Sequence, residues 1–167
     1  GLAQGAQPIS SYNYGAKNFA RVRKAVFMTI GCGVTIATLG FALGESIPHI
    51  IARAFVDSSR GGDESLLIEA SAQGMRLVLT MFPLVGFQIV VGGFFQYIGK
   101  APLAIITSLT RQLLFLLPLL WTLPRLYGAY GVWISMPIAD AASILLAFTF
   151  FIWQMHKIRR QELAMVR

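Results

Sequence analysis

Charge is scarce in this sequence, and negative charge is scarcer still. Only 13% of the 167 residues are charged, with 7 acids against 14 lysines and arginines. An average soluble domain carries about 25% charged residues. Such a chain, 56% hydrophobic, with mean hydropathy +0.65, is a membrane protein by composition. One cysteine, Cys32, excludes an internal disulfide and says nothing of redox compartment. Two histidines, His49 and His156, far apart and without neighbouring ligands, leave no metal-binding cluster. No Walker sequence, GxSxG elbow or nucleophile–base pair is present, which argues against an ATP-driven pump and against an enzyme. No signal-peptide pattern opens the chain. It starts at Gly1 without methionine, and residues 1–6 read as the tail of an earlier segment, so a fragment is expected.

What is present is long apolar runs. A bilayer core of ~30 Å needs ~20 apolar residues as helix. Four stretches qualify, at about 25–43, 67–98, 103–123 and 130–153, the second having its most apolar part from residue 77. The expected fold class is an all-α membrane protein with four transmembrane helices. Three regions follow: 1–24, the end of a preceding helix and a junction; 25–156, the four-helix segment; and 157–167, a basic tail. The net charge of +7 raises nucleic acid as a partner. The cations, however, sit at the ends of apolar runs and form no stripe, so the partner they indicate is the lipid bilayer.

Lys17, Arg21, Arg23, Lys24, Lys100, Lys157, Arg159 and Arg160 fall on one side of a four-span arrangement. The other side holds Arg53, Arg60 and Arg125, among the acids Asp57, Asp63, Glu64 and Glu69. The positive-inside rule then puts both ends in the cytoplasm. The outer connector keeps a helical apolar pattern over 45–55, which predicts an interfacial helical turn. Ser58–Gly62 reads as a loop, with Asp63 a cap for the next helix. His49 reads as an interfacial residue and Arg76 as a snorkelling one.

Ionisable groups at membrane depth are costly and face a bundle interior or a water-filled cavity. Arg111 in the third span and Asp140 in the fourth lie at similar depths, at ~1.5 Å per residue. They are expected to pair, either as a proton or substrate relay or as an ion pair that orients two helices. Gln88, Gln96 and Gln112 line a cavity or bond between helices. Pro83, Pro118 and Pro137 are candidate helix-kink positions, with bending favoured at Pro83 and Pro118. Gly86, Gly92 and Gly93 join them in the spans, and Gly40-x-x-x-Gly44 suits close helix packing.

The order of several short motifs carries a resemblance. Residues 7–18, QPISSYNYGAKN, are followed by the basic Arg21–Lys24 segment. Phe94-Phe95-Gln96-Tyr97-Ile98-Gly99-Lys100, then Leu109-Thr110-Arg111-Gln112 with Leu116-Leu117-Pro118, then Leu126–Trp133 and Met136-Pro137-Ile138-Ala139-Asp140 come in sequence. Together they resemble the second half of multidrug and toxic compound extrusion (MATE) transporters, nearest to the bacterial MepA-like and DNA-damage-inducible branch. The resemblance implies a twelve-helix, two-lobe transporter of the bacterial inner membrane. This chain would be a fragment holding the end of helix eight and helices nine to twelve, its partner being the missing N-terminal lobe.

It further implies a secondary antiporter that exports cationic or amphiphilic drugs by alternating access, in exchange for H+ or Na+. No cofactor is implied. Where some branches carry a carboxylate in helix ten, this sequence has Val85, Gly86 and Gln88, so the coupling ion is expected mainly outside this segment, with Asp140 as fallback. Tyr12, Asn13, Tyr14 and Gly15 fall at the cytoplasmic junction as a hinge or a structural cap, with Gly15 a possible helix C-cap. Two other readings stay open: a lipid-linked oligosaccharide flippase of the wider superfamily, and a non-transporting scaffold subunit.

Overall fold

A computed structural model describes residues 1–55 and 64–165, all of them helical or in short turns. The helices are α1 (Leu2–Gly15), α2 (Phe19–Ser46), α3 (Pro48–Phe55), α4 (Glu64–Leu79), α5 (Phe82–Tyr97), α6 (Ala101–Leu109), α7 (Leu117–Tyr127) and α8 (Ala129–Met165). A π-helical segment, Thr110–Leu116, joins α6 to α7. Three runs are long and apolar enough to cross a membrane: α2, the run Ala101–Tyr127, and α8. The pair α4 and α5, bent by 50°, makes a fourth when counted as one broken span. The expected loop at 58–62 and the cap at Asp63 lie outside the described residues.

Two of the turns share one design. After α1, Asn18 N–H bonds to Asn13 O and Lys17 N–H to Tyr14 O. After α5, Lys100 N–H bonds to Phe95 O and Gly99 N–H to Gln96 O. Both are Schellman closures, which need a left-handed residue just past the helix. Gly99 takes that place with φ 73, but in the first turn it is Lys17, with φ 58. The expectation that Gly15 caps α1 is therefore corrected: Gly15 is the last helical residue and the reversal falls two positions later. Asn18 then caps α2, its side chain accepting from Arg21 N–H.

The prolines act differently from one another. Pro83 sits in the first turn of α5, where its missing N–H is harmless, and the break between Leu79 and Phe82 is where the span bends. Pro118 produces a widened turn rather than a break. It cannot donate, and its ring crowds the carbonyl four residues back. The preceding segment opens to π geometry, with Leu117 N–H bonding to Gln112 O. Pro137 lies inside α8, which runs unbroken for 37 residues.

The basic tail expected from residue 157 is helical as far as Met165 and continues α8. The residues from His156 to Met165 contain no glycine or proline and are mostly strong helix formers, so the helix continues. Ile158, fully buried, and the Arg23–Glu162 pair at 3.1 Å tie this extension to α2. The interfacial turn expected over 45–55 is α3, a helix that packs on α4.

The core sits at the end of the bundle where α2 begins and α5 ends. Phe19, Val22 and Val26 of α2 meet Val91, Phe94, Phe95 and Ile98 of α5, Ala104 of α6, and Ala147, Phe151 and Ile158 of α8. Phe151 is its hub, edge-on to Phe27, Phe87 and Phe94 with centroids 5.8–6.3 Å apart. In lipid, helices gain from close packing more than from hydrophobicity. Gly86 of α5 lies so close to α2 that a Cβ there would be 2.8 Å from both Gly33 O and the Ala37 Cβ. Gly40 and Gly44 face Phe82 and Leu79 in the same seam.

Candidate functional site

Away from this apolar core, polar side chains meet across the bundle. Arg111, in the π segment, donates from Nε to Asp140 Oδ1 of α8 at 2.7 Å. The Asp140 side chain is 8% exposed and that of Arg111 is 41% exposed. The carboxylate is thus held inside while the guanidinium reaches outward from it. One helical step along α8, buried Ser143 lies with its Oγ 3.0 Å from Asp140 O and 3.3 Å from Gln88 Oε1 of α5. Its single proton serves one of these acceptors at a time. Gln88 is itself buried. Two separate side-chain contacts, Arg111 with Asp140 and Ser143 with Gln88, therefore join three spans through groups that a membrane interior makes costly to leave unpaired.

Local sequence explains this convergence. Residues 135, 139 and 143 follow an i, i+4 spacing that puts them on one face of α8, and Asp140 sits beside them. That face is buried: Ser135, Ala139, Asp140 and Ser143 all lie inside. Ser135 satisfies itself by donating to Gly131 O. Ser143 is the member that sequence reasoning missed. Its signal was its place three residues after Asp140 on the same helix.

Other candidates lie elsewhere. Gln112 is next to Arg111 in the chain but exposed, and Gln96 is exposed near the end of α5. Val85 is buried, and Gly86 belongs to the α2 seam. At the α1–α2 junction, Asn13 donates from Nδ2 to Ile9 O at 2.8 Å, Tyr14 packs edge-on to Phe19, and Tyr12 is exposed. These contacts close the turn.

On the far side of the bundle, His49 of α3 and Gln73 of α4 both approach Glu69 of α4. The distances are 3.1 Å from His49 Nε2 and 3.3 Å from Gln73 Nε2. Arg76 pairs with Glu45 at 3.4 Å. His49, read from the sequence as an interfacial residue, and Arg76, read as a snorkelling one, are thus both engaged by acids. Among the described residues no three His, Cys, Asp or Glu side chains group so as to hold a metal ion.

An all-helical bundle of membrane-crossing length, with a partly buried ion pair between spans, defines a multi-pass membrane protein. The MatE family model matches residues 1–122, and the chain belongs to that family of multidrug and toxic compound extrusion transporters. A probable multidrug resistance protein NorM of Rhizobium meliloti (strain 1021) is 25% identical over 155 residues, covering 90% of this chain and 33% of that protein. Its counterpart in Agrobacterium fabrum is 27% identical over 154 residues, with the same coverage.

Among solved structures, the MATE multidrug transporter DinF-BH is 36% identical with a TM-score of 0.80. The match covers 90% of this chain and 32% of that one. An inward-facing MATE family transporter matches in fold, with a TM-score of 0.84 at 17% identity over 95% of this chain and 36% of its own. The chain thus spans about a third of the length of the relatives it matches.

Proposed function

We propose that this chain is the C-terminal part of the second lobe of a secondary active efflux transporter, of the branch that includes DinF-BH. In this reading the whole protein has twelve helices in two lobes. It exports cationic or amphiphilic drugs in exchange for H+ or Na+ by alternating access. It lies in the bacterial inner membrane, with both ends of this segment in the cytoplasm. The wall completing the drug cavity belongs to the first lobe, and so does most of the coupling-ion site. The family match and the 36% identity to a multidrug transporter support the class of function.

The observation that gives this chain its own part is the Arg111–Asp140 pair, with the Ser143–Gln88 contact beside it on α8. Uptake of a proton by Asp140, or approach of a cationic substrate to it, would weaken its hold on Arg111, whose one described partner it is. The two spans that carry them would then be free to shift. Tyr12–Gly15 would be the cytoplasmic junction about which α1 and α2 move.

The test is efflux of a cationic dye by cells or vesicles carrying the full-length protein. Asp140→Asn is expected to slow efflux by about tenfold and to flatten its pH dependence, while Glu162→Gln at the other ion pair leaves both near wild type. Unchanged efflux and unchanged pH dependence in Asp140→Asn at equal expression would refute a coupling role for the pair.

A further inference from the structure

Between α2 and α8 runs a groove of about 490 Å³, lined by Arg23, Phe27, Phe148, Phe151, Ile152, Met155, His156 and Arg159. Its composition is polarised along its length. Phe148, Phe151 and Ile152 form one end with Phe27 opposite, and the side chains of Phe27 and Phe148 are about half exposed. Arg23, His156 and Arg159 form the other end. Glu162, already engaged by Arg23, is the one acid paired there, and no described residue pairs with Arg159 or His156. From Phe148 to Arg159 the groove covers eleven residues of helix, about 16 Å at ~1.5 Å per residue. That is about half of a ~30 Å hydrocarbon core, the depth of one leaflet.

We propose that this groove is a binding site for an anionic phospholipid. The phosphate sits among Arg23, His156 and Arg159, and an acyl chain lies along Phe27, Phe148, Phe151 and Ile152. Charge selects this occupant. A second copy of a chain with net charge +7 would bring its own cations toward this rim. A cationic amphiphile would meet charge of its own sign at the end where its head must lie. A zwitterionic lipid fits the apolar wall but gains less at the rim. Basic pockets between spans recognise anionic headgroups in this way. The proposal needs a chain that lies in a membrane and is independent of which drug or ion the transporter handles.

Arg159 and Arg160 make a matched pair for the test. Both are exposed, and they point about 100° apart round α8. Only Arg159 lines the groove. Native mass spectrometry of the full-length protein in mild detergent, titrated with phosphatidylglycerol or phosphatidylcholine, counts bound lipids and reports the oligomeric state. Each interfacial cation contributes about fivefold in affinity for an anionic lipid. Arg159→Glu is therefore expected to weaken phosphatidylglycerol binding by tenfold or more, and Arg160→Glu by less than half of that on a logarithmic scale. Phosphatidylcholine binding should change little in either. Ile152→Trp, which fills the groove and keeps every charge, should also lose phosphatidylglycerol. Equal losses in Arg159→Glu and Arg160→Glu would reduce the effect to general surface charge and overturn the site. Full binding by Ile152→Trp, or groove residues protected in the lipid-free full-length protein, whether by a second copy or by the protein's own remaining helices, would overturn it too.

Discussion

Removing either member of the Arg111–Asp140 pair should have unequal consequences, because the two side chains are buried unequally. Asp140 is 8% exposed and Arg111 41%. Arg111→Met strips the charge partner from an enclosed carboxylate. Breaking a fully buried pair this way costs about 3–5 kcal/mol, and the partial exposure of the guanidinium edge brings the expectation down to about 2.5 kcal/mol. Asp140→Asn keeps the shape and leaves an amide oxygen to accept from Arg111 Nε. The half-exposed guanidinium keeps that bond with its charge toward the outside, so the loss is about 1 kcal/mol. The double variant has neither charge left to strand and should cost about 2 kcal/mol, less than the ~3.5 kcal/mol sum, a coupling of about 1.5 kcal/mol. Reversible unfolding of the full-length protein in mixed micelles, across a rising mole fraction of denaturing detergent, measures all three. Strict additivity, or a larger loss in Asp140→Asn than in Arg111→Met, would refute the argument from burial.

Three further outcomes follow from the packing. Gly86→Ala should destabilise by about 1–3 kcal/mol, because its Cβ would meet backbone of α2 at 2.8 Å. Gly92→Ala, with nothing within 4 Å of a Cβ, should instead be neutral or stabilise by up to about 1 kcal/mol, so the two melting temperatures should move apart. Lys17→Gly should stabilise by about 1 kcal/mol, since it relieves the left-handed φ of 58 without touching either Schellman bond; a fall in stability would mean that the lysine side chain itself anchors the turn. Ser143→Ala removes the described donor to Gln88 Oε1 and should cost roughly 0.6–2 kcal/mol, read by the same micelle titration.

Much of this fold was legible in the amino-acid order because a bilayer leaves few choices. Apolar runs of the right length gave the spans, and the alignment of Arg111 with Asp140 in depth was enough to pair them. Pro83 marked the bend because a missing donor costs nothing at a helix start, although Pro137, inside the unbroken α8, shows that a proline alone does not fix one. Other features depend on what the helices meet. The continuation of α8 rests on Ile158 finding the core and Glu162 finding Arg23. The left-handed Lys17 was hidden by Gly15, which offers the same freedom two residues earlier. Gln112 looked equivalent to Arg111 by polarity and is separated from it by one residue's turn about the helix. Ser143 was invisible to a search for charge and amide groups, although its spacing from Asp140 placed it correctly.

The π segment carries a consequence for how this span can vary. Its widened turn accommodates one residue more than an α-helix would over the same rise. Deleting one residue between Arg111 and Pro118 would let the span close into regular α geometry with its two parts facing as they do now, whereas inserting one more, which the widened turn has no room to absorb, would swing the part before it by about 100° relative to the part after it. Arg111 lies before that point, while Trp121 and Arg125, stacked 4.1 Å apart at the other end, lie after it. The span can therefore tolerate many exchanges of one apolar residue for another and the loss of one residue from the widened turn, but the gain of a single residue there would unseat Arg111 from Asp140 while leaving its hydropathy almost untouched.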